Sequence, residues 1–280
     1  VKDGGCLQIG IGALSDALVK ALLLRQQNNI QWRRALVALD PAGVTHALAG
    51  WQGGLAPFEA GLYGASEMVM DGFMHLQRGG ILKRRSWDNL ALERAAAAGR
   101  LNPDTPGGHY LRGAFFLGSR ELYVWLGATE AADPDAIDMC AVSNVNQLYG
   151  THQSLAMLQR RGARFFNTCM MATALGAVVS DTLEDGGVVS GVGGQYNFVA
   201  MAHELPDARS VLLLRATRSS KGGIESNIRW NYGQTTIPRH LRDIIITEYG
   251  IADLRGKSDS ECIEAMLAIT DARFLDALCA

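Results

Sequence analysis

The chain has 280 residues, 48% hydrophobic and 19% charged, enough apolar material for one large core or two modest ones, which excludes a disordered polypeptide. Lys and Arg total 26 against 28 Asp and Glu, a formal charge of −2, so no general attraction to nucleic acid follows. Cys6, Cys140, Cys169, Cys262 and Cys279 lie far apart and include no Cys-x-x-Cys pair, which fits a reduced, cytoplasmic setting and argues against a structural zinc.

The most apolar window, Leu7 to Leu24, contains Asp16 and Lys20 together with Gly10 and Gly12. Neither a membrane span nor a cleavable targeting segment is expected. The chain starts at Val1 and enters a strand pattern within a few residues, so it is expected to be a piece of a longer protein.

Cys6 to Ile9 reads as a short buried strand running through the Gly10-Ile11-Gly12 turn into a helix, with Leu14, Leu18, Ala21 and Leu22 at helical spacing. Such a junction aims backbone N–H groups at an anion or a developing oxyanion. Tight strand-to-helix packing with no ligand explains the same glycines, and the dinucleotide fingerprint is incomplete because Ser15 stands where a third Gly belongs. Residues 26–61 are broken by Asn28-Asn29, Asp40-Pro41 and the Gly50 to Gly54 stretch, and predict short helices and loops.

Tyr63 to Gly72, Tyr-Gly-Ala-Ser-Glu-Met-Val-Met-Asp-Gly, holds the candidate reacting group, Glu67. The pattern predicts a tight turn feeding an apolar helix, with Ser66 as its cap and Arg78-Gly79-Gly80 as its end. On that reading alone Glu67 would only answer a helix dipole. Leu90 to Ala98 predicts a helix. His109 to Phe116 and Glu121 to Leu126 predict strand material, Asp133-Pro134-Asp135 a helix start, and Cys140 to Asn146 a strand edge carrying two amides, Asn144 and Asn146.

Beyond Glu184 the chain gives Val188 to Phe198, with Gly191, Gly193 and Gly194 bringing backbone close to either a neighbouring element or a ligand. Val211 to Leu214 is a buried strand that runs into Arg215, Arg218 and Lys221 beside Gly222-Gly223, either a phosphate-binding loop or an ordinary charged one. Asp243 to Gly250 is the last clear strand, and Ile251 to Leu254 and Ser258 to Ile269 predict closing helices. Strands alternating with helices predict an α/β protein with an open, mostly parallel sheet flanked by helices, and no inner linker divides it, so a single domain over residues 1–280 is expected. The six histidines show no paired metal spacing and no Gly-x-Ser-x-Gly elbow occurs, so no metal site and no serine triad are expected. A carboxylate beside glycine turns remains, and a carboxylate can attack a thioester to give an acyl anhydride.

Leu7-Gln-Ile-Gly-Ile-Gly-Ala-Leu14, Ser66-Glu-Met68 with Asp71-Gly72, Gly191-Val-Gly-Gly-Gln195, and Thr247-Glu-Tyr-Gly-Ile-Ala252 with Leu254-Arg-Gly-Lys-Ser258 together resemble the C-terminal half of the acetyl-CoA hydrolase and transferase family, which includes 4-hydroxybutyrate and succinyl-CoA:acetate CoA-transferases. The resemblance implies the fold of the CoA-transferase superfamily (NagB/RpiA-like) and a family N-terminal domain missing from this chain. It implies a CoA-transferase acting on short carboxylic acids, in which Glu67 attacks the acyl-CoA and then carries CoA as a glutamyl thioester. An acyl-CoA hydrolase using the same glutamate and a non-catalytic acyl-CoA-binding module are the alternatives; a sugar-phosphate isomerase shares the fold, without a supporting pattern. Gly193 and Gly194, followed by Gln195, match glycines whose backbone lies against the acyl-CoA. Many relatives read His-Thr-Glu-Met where this chain has Ala65-Ser66-Glu67-Met68. Backbone N–H groups at Gly10 and Gly12 or Gly193 and Gly194 could hold the oxyanion, each donor contributing on the order of 3 kcal/mol, and Arg218 and Lys221 the CoA phosphates. CoA enters as substrate and no cofactor is expected. The expected partners are acyl-CoA and carboxylates, neither nucleic acid nor membrane, with a homodimer left open.

Overall fold

The computed structural model describes every residue except 41, 42, 44–49, 51, 103, 151, 221 and 280. The fold is α/β, and its contacts gather into two compact units, residues 1–164 with 204–208, and 165–203 with 209–280. Among the described residues no helix is long and apolar enough to cross a membrane.

The first unit carries β1 (Cys6–Ile9), α1 (Ala13–Gln27), α2 (Asn29–Leu39), β2 (Tyr63–Val69), α3 (Asp71–Arg78), α4 (Leu90–Ala97), β3 (Leu111–Phe116), α5 (Arg120–Ala132), β4 (Ile137–Met139), α6 (Val142–Asn146) and α7 (Gln153–Gln159). Its strands lie in the order β1-β2-β3-β4, each parallel to the next. The second strand is buried over its first four residues without alternation, as befits a parallel strand covered on both faces. Leu7, Ile9, Tyr63, Ala65, Val69, Phe73, Leu76 and Leu111 are each at most 2% exposed and form its core.

Four expectations fail here. Ser66-Glu67-Met68 is in the middle of β2, not at a helix start: the ladders to β1 and β3 claim its backbone, and the helix waits until Asp71. Glu121 to Leu126 belongs to α5. Its aromatic and branched residues have strand propensity, but the buried pair Leu122 and Trp125 is spaced by three, and Ser119 caps the helix by accepting from Leu122 N–H. Asp133-Pro134-Asp135 follows that helix and leads into β4, and Val142 to Asn146 is helical.

The second unit holds β5 (Arg164–Thr168), β6 (Met171–Thr173), β7 (Val178–Val179), α8 (Gln195–Glu204), β8 (Arg209–Leu213), β9 (Thr217–Ser220), β10 (Gly223–Ser226), β11 (Ile228–Arg229), β12 (Ile244–Thr247), β13 (Gly250–Asp253), α9 (Asp259–Ala268) and α10 (Leu275–Cys279), apart from the terminal residues Arg164 and Glu204, which group with the first unit. Its sheet runs β13-β12-β8-β5, with β12 parallel to β8 and antiparallel to β13. Ile251 to Leu254, expected as helix, is thus mostly edge strand: the turn at Glu248-Tyr249 folds it back so that Ile251 faces Ile246 across the ladder. A core of Val199, Leu212, Ile245, Ala252, Leu254, Cys262 and Met266 lies beneath it. Beside it stand the ladder β11-β6-β7 and the hairpin β9–β10.

Candidate active site

Glu67 is the fifth residue of β2, and side chains alternate along a strand, so it points away from Ser66 and Met68. Ser66 is 1% exposed and donates its hydroxyl to the Ile9 carbonyl at 3.3 Å. That bond belongs to the β1–β2 register, in which Cys6 pairs with Tyr63 and Leu7 with Gly64. The Ser66–Ile9 bond sets the residue before Glu67 against the last residue of β1, just ahead of Gly10, at the C-terminal ends of parallel strands where open α/β sheets hold ligands.

Glu67 is half-buried and among the described residues forms no ion pair. Its Oε2 accepts the Nδ2–H of Asn146, at the end of α6, at 2.5 Å. The amide is thereby oriented with its N–H toward the carboxylate, and among the described residues the buried Asn146 Oδ1 has no hydrogen-bond partner. A neutral donor fixes one oxygen in place without the compensating charge that an arginine or lysine would bring, and leaves the other oxygen uncommitted.

Behind α6 lies Arg160, 1% exposed, whose Nη2 donates to the carbonyls of Asn144 at 2.7 Å and Val145 at 3.0 Å, and whose Nη1 donates to Ala156 at 3.2 Å. It thereby satisfies carbonyls at the end of a five-residue helix that has no side-chain N-cap. Burial pulls its pKa down, and no carboxylate pairs with it among the described residues. Sequence reading named Asn146 but missed Arg160, which nothing in the Arg160-Arg161 pair sets apart.

Two cavities flank this arrangement, and Glu67 is in the wall of neither. One, of about 480 Å³, is polar and lies against Asn144, Gln147, Arg160, Asp88 and Arg112. The other, of about 200 Å³, is mainly apolar and lies between Ile9, Ile11, Val19, Met68 and Phe73. Beneath the ladder His109 hydrogen-bonds the Tyr63 hydroxyl at 3.1 Å. Burial, helped by the nearby Arg112, drops its pKa to about 4.

Gly12 takes a φ of 115° as the N-cap of α1, and its carbonyl accepts from Ser15 and Asp16 N–H at 2.9 and 3.2 Å. The remaining predicted residues belong to the second unit. Gly193 has a φ of 55° and is exposed, Gly194 is buried, and the Gly194 carbonyl receives the Phe198 N–H at 3.1 Å. Gln195 opens α8 and donates its amide to the Thr168 carbonyl at 3.2 Å, tying the helix to the end of β5. Arg218 lies on the β9–β10 hairpin and pairs with Glu225 at 3.0 Å, so a phosphate would have to draw it from that partner. Lys221 lies outside the described residues. No group of three or more His, Cys, Asp or Glu among the described residues could hold a metal ion.

A family model described as the acetyl-CoA hydrolase/transferase C-terminal domain matches residues 118–280, a span that leaves Glu67 outside it. The chain is similar to the 4-hydroxybutyrate coenzyme A transferase of Clostridium kluyveri, 22% identical over 282 residues covering 99% of this chain and 50% of that protein. It is also similar to a probable butyrate:acetyl-CoA coenzyme A-transferase of Syntrophomonas wolfei, 27% identical over 168 residues covering 59% and 35% of the two chains. The chain thus spans half or less of the length of these relatives. Among solved structures it is similar in fold to RipA from Yersinia pestis, with a TM-score of 0.68 and 24% identity over 100% of this chain and 49% of that one. A 4-hydroxybutyrate CoA-transferase from Porphyromonas gingivalis gives a TM-score of 0.62 and 23% identity over 99% and 51%.

Proposed function

The chain belongs to the acetyl-CoA hydrolase/transferase family, and from that premise we propose that the protein containing it moves CoA between short-chain carboxylic acids, with Glu67 as the nucleophile. The observation that carries this reading is the state of Glu67: held by the neutral amide of Asn146 at 2.5 Å and unpaired with any described cation. A carboxylate held in that way can serve as the nucleophile toward a thioester without a separate base. The names of the relatives, 4-hydroxybutyrate and butyrate:acetyl-CoA transferases, support short acids as the substrate class.

In the proposed route a Glu67 oxygen attacks the thioester carbonyl, and collapse of the tetrahedral oxyanion expels the CoA thiolate and leaves an acyl-glutamyl anhydride. The thiolate attacks the glutamyl carbonyl of that anhydride, releasing the first acid as its carboxylate and leaving Glu67 as a CoA thioester. A second carboxylate then attacks the glutamyl carbonyl and displaces the thiolate. The thiolate attacks the incoming acyl group, giving the new acyl-CoA and regenerating the Glu67 carboxylate. No step needs an external proton donor or a cofactor. The N–H groups around Gly10 and Gly12 are the candidate oxyanion donors on the unit that carries Glu67. The short polar tie between Asn146 and Glu67 holds the attacking oxygen in one rotamer.

The test uses the full-length protein. Incubation with acyl-CoA followed by mass spectrometry is expected to show a CoA-sized adduct on the peptide carrying Glu67, and E67Q to lose both the adduct and at least about a thousand-fold in transfer rate, roughly 4 kcal/mol of barrier. The absence of that adduct in an actively transferring wild type would rule the route out. Release of free CoA in place of transfer to an added carboxylate would identify a hydrolase.

A further inference from the structure

A cavity of about 440 Å³ in the second unit is walled by Arg239, Arg242, Arg255 and Lys257, with His203 and His240 at its margin and Asp259 as its one carboxylate. Three arginines and a lysine against Asp259 and the Asp243 carboxylate behind Arg255 leave an excess of +2 before either histidine is counted. Like charges gathered in one concavity repel unless an anion joins them, and a concave wall concentrates their field.

Two of the cations are held in advance. The Arg242 side chain is only 16% exposed, and it donates to the carbonyls of Leu175 at 3.2 Å and Lys257 at 2.8 Å. Arg255 donates to the Ala202 carbonyl at 3.3 Å and to the buried Asp243 carboxylate. Asp259 is shared, 3.0 Å from both Arg239 and Arg242, so neither guanidinium has a carboxylate to itself. Lys257 makes no ion pair among the described residues. Guanidinium forks fixed by backbone carbonyls lose little side-chain entropy when an oxyanion arrives.

We propose that this cavity is a binding site for a phosphate group. Donors converging from the 3₁₀ turn at Arg239–Leu241, from Arg242, and from the loop after β13 suit a tetrahedral anion whose oxygens point in several directions better than a planar carboxylate. The volume of about 440 Å³ leaves room for an organic body beside the oxyanion. The cavity's walls come from the second unit alone, and the site stands whether or not Glu67 is a nucleophile. The phosphate comes either from a free phosphorylated metabolite or from the nucleotide end of CoA.

Calorimetry and thermal shift on the full-length protein, with inorganic phosphate as probe and sodium chloride at matched ionic strength as control, provide the test. Phosphate is expected to bind saturably and raise the melting temperature where chloride does not, and R239Q/K257Q to weaken its Kd at least tenfold. If that double variant fails to fold, K257Q alone is expected to weaken it about threefold. Displacement of bound phosphate by CoA identifies the substrate's own phosphates as the ligand, and indifference to CoA a free metabolite. Equal phosphate affinity in wild type and variants, or a chloride effect of the same size, overturns the proposal.

Discussion

In the proposed route the reactivity of Glu67 turns on which kind of partner holds the carboxylate. Asn146 fixes its position with a neutral donor, and replacing that donor tests the arrangement directly. N146D would set two carboxylates within hydrogen-bonding reach, and two such groups cannot both ionise freely. The variant is expected to transfer CoA about tenfold more slowly at pH 7 and to regain activity as pH rises, a profile that N146L, losing about tenfold at every pH, does not share. A pH–rate series on the three proteins distinguishes them.

His109 sets a different residue-scale expectation. Its folded pKa, about 4, lies below its ordinary value of 6.5 because burial disfavours the imidazolium. The unfolded chain therefore binds a proton that the fold refuses between those values, and stability falls as pH drops from 6.5 toward 4. The loss is on the order of 3 kcal/mol when complete. Urea midpoints at pH 7 and pH 5 are expected to differ more for wild type than for H109Q.

Among the elements, α6 is the one on which the site leans. It is one turn and a half long, and Arg160 satisfies its final carbonyls. R160Q, keeping a donor but losing the fork, is expected to lower kcat several-fold with little change in KM, while R160A destabilises outright by about 2–4 kcal/mol by opening a hole in a buried site. Steady-state kinetics beside a denaturation curve reads both. At the other end of the chain Ser258 and Glu261 form a reciprocal capping box on α9, and S258A is expected to cost about 1 kcal/mol, seen as a drop of a few degrees in Tm.

The same scale shows what the residues alone disclose. Helix α1 was legible from the spacing of Leu14, Leu18 and Leu22, α4 from its alanine run, and α9 from Ser258. The misread segments have a shared cause. Ser66-Glu67 has the local chemistry of a helix start, Tyr123-Val124-Trp125 that of a strand, and Ile251 to Leu254 could extend either way; in each case distant partners decide, β1 and β3 for the first and β12 for the last. Glu67 was proposed from its surroundings in sequence, a block that reads Ala65-Ser66-Glu67-Met68. The Asn146 contact spans 79 positions, and no local pattern announces a bond of that kind. The basic cavity was hidden similarly, because Arg239 and Arg242 come from one turn and Arg255 and Lys257 from another.

On the scale of the molecule, the chain's route matters as much as its sheets. Residues 204–208 group with the first unit although residues 165–203 and 209–280 form the second. Within that return segment the Asp207 carbonyl accepts Arg164 Nη1 at 2.6 Å, and its carboxylate pairs with Lys2. Arg164 has a side chain only 4% exposed, and depriving a buried guanidinium of an acceptor costs about 1–3 kcal/mol. A chain stopped after Arg164 is accordingly expected to melt several degrees below the first transition of the whole chain, measured by circular dichroism.

This crossing has a consequence for synthesis and for breakage. A nascent polypeptide leaving the ribosome cannot complete its first half at residue 164; it must wait for the return of Glu204 to Ala208, some forty positions later. Conversely, a protease that nicks the backbone once between those points yields two fragments that each carry strands or anchors of the other, and such fragments are expected to stay together on a sizing column and to part only in denaturant.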